Sequence, residues 1–103
     1  MLLIIGGVGA GKREYALSLG FGENEIAGGV WDAVYENPDK AAELLEPLCR
    51  KAAVLCEEVG SGIVPIERHE REAREAMGRL TAALAGRAER VVRLVAGIAI
   101  TLK

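Results

Sequence analysis

The chain has 103 residues, of which 50% are hydrophobic and 4% aromatic, and its 13 basic and 15 acidic side chains leave a formal net charge of −2. This length fits one domain over residues 1–103, and the high apolar content excludes a disordered chain. The near-neutral charge argues against a nucleic-acid partner, because a basic excess is needed to hold a phosphate backbone.

The cysteine count and the apolar runs predict the compartment in which the protein is found. Cys49 and Cys56 are too few for a disulfide framework and fit a reducing compartment as small buried residues. No apolar run reaches the roughly 20 residues that cross a membrane. The first apolar run precedes the charges at Lys12 and Arg13, which is the wrong order for a signal peptide. We therefore expect a cytoplasmic protein with no membrane partner.

The first third of the chain contains one clear strand and one clear helix. Met1–Ile5 is a continuous apolar run, which predicts a strand buried on both faces. Helical spacing over Lys12–Leu19 predicts a helix that ends at the glycines of 20–22. Phe21–Gly29 has no clear period, and Val30–Tyr35 fits either a helix or a short strand.

The middle of the chain begins at the turn residues Asn37–Asp39. Apolar residues at helical spacing predict a helix over Ala41–Leu48, which Pro47 either ends or bends. Ala52–Cys56 predicts a second buried strand.

The last part contains the strongest helical pattern, over Glu67–Ala85, with Gly86 as a possible end. Opposite charges four residues apart predict three ion pairs on its solvated faces: Glu67/Arg71, Glu70/Arg74 and Glu75/Arg79. Val91–Ala96 and Ile98–Leu102 predict two more strands. Strands that alternate with helices favour an α/β domain with a mostly parallel sheet.

A glycine-rich segment, GGVGAGKR, connects the first strand to the first helix. Its spacing matches G-x-x-x-x-G-K, in which glycines turn backbone N–H groups toward an anion and the lysine reaches terminal phosphates. The helix N-terminus adds partial positive charge. The predicted nucleotide-binding residues are Gly6, Gly7, Gly9, Gly11, Lys12 and Arg13.

Arg13 stands where the motif has the Ser or Thr that ligates Mg²⁺. A guanidinium repels a cation but binds phosphate oxygens bidentately. The loop is therefore expected to bind phosphate well and Mg²⁺ poorly.

Three segments resemble the bifunctional adenosylcobinamide kinase/adenosylcobinamide-phosphate guanylyltransferase family: the GGxxxGK start, CEEVGSGIVP at 56–65 and the closing RVVRLVAGIAITLK. The family pattern SNEVGxGIVP, followed by an R-x-x-R helix and a strand ending VVAGLPxxLK, can be laid along Cys56–Lys103 without a gap. Trp31 is matched to the tryptophan of the family's LTLW segment.

The resemblance implies a reduced, three-layer P-loop (RecA-like) enzyme of cobalamin biosynthesis that uses ATP or GTP on a cobinamide-like alcohol and assembles as a homotrimer. It places Ile26 where the family has an aspartate. The segment that carries the family's guanylylated histidine is missing here. The single histidine, His69, is interpreted as a solvated helix residue, so the resemblance implies that guanylyl transfer is lost.

Glu58 follows the second strand and matches a family position, which makes it, with Lys12, the candidate catalytic pair. The alternative for Glu58 is a solvated loop carboxylate or one paired with Arg71 or Arg74. Three functions stay open: a reduced kinase or nucleotidyltransferase, a non-catalytic nucleotide-binding regulatory or partner subunit, and an oligomeric scaffold with an empty loop.

Overall fold

The computed structural model describes residues 1–59 and 67–103, and in them one five-stranded sheet is flanked by helices. The strands are β1 (Leu2–Gly6), β2 (Ile26–Ala27), β3 (Ala53–Glu57), β4 (Arg90–Val95) and β5 (Ile98–Thr101). The α-helices are α1 (Lys12–Ser18), α2 (Val30–Glu36), α3 (Leu45–Cys49) and α4 (Arg68–Arg87), with 3-10 turns at Glu23–Glu25 and Pro38–Leu44.

The sheet has the strand order β2-β3-β1-β4-β5, with β1 at its centre. The first four strands in this order are parallel, and β5 is antiparallel to β4. The prediction of an α/β domain with a mostly parallel sheet is therefore confirmed.

Alternate side chains of β1 enter two separate cores, one on each face of the sheet. Leu2 and Ile4 pack with Ala16 of α1 on one face. Leu3 packs on the other face with residues of α2 and α4, including Val34 and Met77. Helices thus cover both faces, which explains why β1 is a continuous apolar run rather than an alternating one.

The segment predicted as one helix over Ala41–Leu48 is divided in two. A 3-10 turn runs over Pro38–Leu44, and α3 begins at Leu45. Pro47 has no N–H for the carbonyl four residues earlier, but it is tolerated in the first turn of a new helix. Proline therefore sets the point at which the α-helix restarts.

α4 begins one residue later than predicted and continues past Gly86. Glu67 is its N-cap, since its carboxylate accepts hydrogen bonds of 2.9 Å from the backbone N–H groups of His69 and Glu70. Among the three predicted ion pairs, Glu70–Arg74 forms at 3.4 Å. The other two do not form in the described part of the chain, where Arg68–Glu72 is paired instead.

His69 lies in α4, as predicted, and its ring is partly buried there rather than fully solvated. Its ring lies edge-on to Tyr35, with centroids 4.7 Å apart, and its Nε2 contacts the carbonyl oxygen of Tyr35. The ring is half-buried because the start of α4 packs against the end of α2. The segment Val30–Tyr35, for which the sequence fits either a helix or a strand, is helical.

Other boundaries shift by one or two residues from the predicted ones. α1 ends in a Schellman arrangement, in which the N–H groups of Gly20 and Phe21 donate to the carbonyls of Leu17 and Ala16.

None of the helices in the described part of the chain has the length and apolar character needed to cross a membrane.

Candidate functional site

The glycine-rich loop leaves the sheet at the carboxyl end of its central strand, where open α/β sheets place their ligands. Gly6 of β1 lies beside Glu57, the last residue of β3. The N–H of Glu58 donates to the carbonyl oxygen of Gly6 at 2.9 Å. The parallel register thus brings the loop and two carboxylates to one edge of the sheet.

The loop backbone needs glycine at several of its positions. A Cβ on Gly6 would lie 3.1 Å from the carbonyl oxygen of Leu94 and 3.2 Å from Cβ of Ala10. Gly9 and Gly11 have φ angles of 77° and 85°, which L side chains rarely adopt. A Cβ on Gly7 would meet nothing within 4 Å.

Lys12 is the buried charged residue of the described chain, with 8% of its surface exposed. Its Nζ donates to the carbonyl oxygens of Gly6 at 3.1 Å and Gly7 at 2.8 Å. A third contact, of 3.3 Å, reaches Oε2 of Glu57. The lysine therefore folds back over the start of its own loop and links it to β3.

Glu57 is a site residue that the sequence reasoning missed in favour of Glu58. Ala53 and Leu55 of β3 face α1, and the two-residue period of a strand puts Glu57 on that same face, toward Lys12. The two-residue alternation along AVLCE, extended from Ala53 and Leu55 to Glu57, is the sequence signal that indicates Glu57.

Glu58 points the other way, as the same alternation requires. Its carboxylate forms an ion pair of 2.8 Å with Arg93 of β4. The alternative prediction of a partner on α4 is wrong, since neither Arg71 nor Arg74 pairs with Glu58 among the described residues. Glu58 remains at the loop edge of the sheet, but its contact is with β4 and not with Lys12.

Arg13 extends away from the loop toward β2. Its guanidinium forms an ion pair of 2.6 Å with Glu23. One terminal nitrogen lies so close to Gly28 that a Cβ there would be 3.0 Å from it. In this arrangement Arg13 ties α1 to the turns on either side of β2.

A comparison with protein-family models finds a match over residues 22–102 to the cobinamide kinase / cobinamide phosphate guanyltransferase family (CobU). The chain belongs to this family. The predicted family resemblance is thereby confirmed, and with it a nucleotide-binding family of cobalamin biosynthesis. The match includes both carboxylates at the end of β3 and all of α4, and it begins after the glycine-rich loop. A search of curated proteins finds no significant match.

The donors around Lys12 in this cobinamide kinase family member do not fit a Mg²⁺ ion held by the protein. Arg13 offers a guanidinium in place of a hydroxyl, and Ile26, matched to the family's aspartate, is a buried apolar residue of β2. Within residues 1–59 and 67–103, no group of three or more His, Cys, Asp or Glu side chains is placed to hold a metal ion. We therefore assign no chemical step to a metal.

A separate cleft of about 400 Å³ lies between the Pro38–Leu45 segment and α4. It is lined by alanine and leucine side chains with Asp39, Glu72, Glu75 and Arg79 among them. None of the glycine-rich loop residues lines this cleft, and its excess of carboxylates does not suit a phosphate. The loop, not the cleft, is the candidate phosphate site.

Proposed function

We propose that this cobinamide kinase family member is a P-loop protein that binds a nucleotide, ATP or GTP, through its phosphates at Gly6–Lys12. The observation that carries the proposal is the position of Lys12, which is held over the carbonyls of Gly6 and Gly7 at the carboxyl end of the central strand. The strand–glycine loop–helix order and the G-x-x-x-x-G-K spacing support the same function.

The proposed chemistry does not include transfer through a guanylylated histidine. His69 is half-buried against Tyr35 at the contact between α2 and α4, so its ring serves packing. Nucleotide binding, in the manner of a regulatory or partner subunit, is the function that the remaining residues support best.

A kinase step is the second candidate, because Glu58 lies at the loop edge of the sheet. In that mechanism Lys12 would hold the transferred phosphate and Glu58 would accept the proton of the substrate hydroxyl. The ion pair of Glu58 with Arg93 opposes this role, since the guanidinium already holds a carboxylate oxygen at 2.8 Å and this contact would have to be given up before that oxygen could accept a proton. Conversion of adenosylcobinamide to its phosphate by the purified chain would establish this candidate.

Calorimetric titration of ATP and GTP, with and without Mg²⁺, tests the binding proposal. The substitution Lys12→Ala should weaken nucleotide binding by about 10- to 100-fold, because it removes one charge-assisted hydrogen bond to a phosphate oxygen. Lys51→Ala is the matched control, since Lys51 precedes β3 at the opposite edge of the sheet and contacts the carbonyl of Asn24. The absence of nucleotide binding by the unmodified protein would overturn the proposal.

A further inference from the structure

We propose that the carboxylate of Glu57 competes with a bound phosphate for Lys12, so that Glu57 sets the affinity and the charge preference of the loop. This inference rests on the proposed nucleotide-binding function. It concerns a residue at the end of β3 that faces the loop lysine at 3.3 Å.

The first argument is a count of hydrogen-bond donors on Lys12. An ammonium group has three N–H donors. The three contacts to Gly6, Gly7 and Glu57 use all of them. A phosphate oxygen can therefore reach Nζ only by replacing one of these acceptors.

The second argument identifies the acceptor that is replaced. The carbonyls of Gly6 and Gly7 belong to the loop backbone, and the carbonyl of Gly6 also accepts the N–H of Glu58. The Glu57 carboxylate makes the longest of the three contacts, and its side chain is 30% exposed. It can rotate toward solvent without disturbing the sheet, so it is the group that a phosphate displaces.

The third argument is electrostatic. The β1–β3 register fixes the backbone of Glu57 beside Gly6, so the displaced carboxylate stays near the loop. A phosphate oxygen in contact with Nζ lies within about 6 Å of the original carboxylate position, given a charge-assisted contact of about 2.8 Å. Like charges at this separation repel appreciably in the partly desolvated edge of a protein. The repulsion grows with the ligand's charge, so Glu57 disfavours pyrophosphate more than inorganic phosphate.

The test is calorimetric titration of pyrophosphate and of inorganic phosphate in the presence of a chelator, without divalent cations. Glu57→Gln keeps the shape of the side chain and removes its charge. We expect it to bind pyrophosphate about tenfold more tightly than the unmodified protein at low salt, with a smaller gain for inorganic phosphate, and we expect both gains to shrink as salt is added.

Glu89→Gln is the matched control. It removes the same charge from a residue that pairs with the N-terminal amine, at the opposite end of β1. Its affinity should equal that of the unmodified protein. Glu57→Asp, whose carboxylate is one methylene further from Lys12, should bind pyrophosphate more tightly than the unmodified protein and provides a second reading if Glu57→Gln does not fold.

The outcomes separate the inference from the function on which it rests. Equal or weaker pyrophosphate binding by the Glu57 variants, with binding still weakened by Lys12→Ala, overturns the competition and leaves the proposed function standing. No binding of ATP, GTP or pyrophosphate by the unmodified protein or by any variant overturns both.

Discussion

Gly6 carries the strictest steric requirement in the glycine-rich loop. The atoms that a Cβ would meet are a backbone carbonyl of β4 and the Cβ of Ala10, and neither can move like the end of a flexible side chain. Gly6→Ala should therefore lower the free energy of unfolding by about 1–3 kcal/mol, as overpacking does elsewhere.

Urea unfolding measures this loss, and Gly7→Ala is its control. The neighbouring glycine has open space where a Cβ would be placed, so that variant should unfold within about 0.5 kcal/mol of the unmodified protein. Equal destabilisation by the two substitutions would contradict the steric explanation.

At this scale the spacing of the glycine-rich loop indicates that it connects a strand to a helix, but not which side chains its residues contact. The spacing alone makes Lys12 a candidate, because the motif links a backbone conformation to one residue type. Its partner Glu57 was missed because the contact depends on which of two adjacent carboxylates faces α1, and that depends on strand register. Arg13 stays a predicted phosphate contact, and its guanidinium pairs with Glu23, which lies in a segment without any period.

At the level of elements, the hairpin between β4 and β5 has a strained residue. Val95 pairs with Ile98, so Ala96 and Gly97 form a two-residue turn, with φ angles of 49° and 78°. Two positive φ angles are typical of the type I′ turn, in which Asn-Gly is strongly preferred over Ala-Gly. Only the alanine is strained in this conformation.

Ala96→Asn should therefore raise the free energy of unfolding by about 0.5–1 kcal/mol, since asparagine tolerates the left-handed region. Thermal and urea unfolding measure the gain. A β-branched residue is disfavoured at positive φ, so Ala96→Val should be less stable than the unmodified chain. A gain in stability with valine would show that the strain is not located at this residue.

The elements that could be predicted are those whose pattern is local. β1 and β3 are continuous apolar runs and α4 is strongly periodic, and their predicted bounds differ from the observed ones by one or two residues. β2 has two residues and exists because it pairs with Ala53 and Val54 of β3, which no local pattern reveals. The 3-10 turn before α3 likewise depends on packing against α4.

For the molecule as a whole, the two cores separated by the sheet differ in size. The core on the α4 face includes side chains from α2, α4 and three strands, whereas α1 is the single α-helix over the other face in the described part of the chain. Cys56 lies fully buried in the larger core. Its side chain is therefore exposed to water only when this core unfolds.

Burial raises the pKa of the Cys56 thiol to about 11, because the thiolate would lose its hydration inside the core. In the unfolded chain the same thiol ionises near its ordinary value of about 8.5. The folded state therefore binds the proton more tightly. The stability that this preference contributes is complete below about pH 8 and is lost as the pH rises toward 11, to a total of about 3 kcal/mol.

Urea unfolding of the unmodified protein and of Cys56→Ala at pH 7, 9 and 10.5 isolates this contribution from the other groups that titrate at alkaline pH. At pH 7 the alanine variant should be the less stable, because the buried sulfur leaves a small cavity. Its deficit should shrink above pH 9 and reverse as the thiol of the unmodified protein ionises on unfolding. Val54→Ala, which truncates a buried side chain of the same strand and core that does not titrate, should show a constant difference from the unmodified protein at the three pH values. A constant difference for Cys56→Ala as well would mean that the buried thiol does not couple folding to pH.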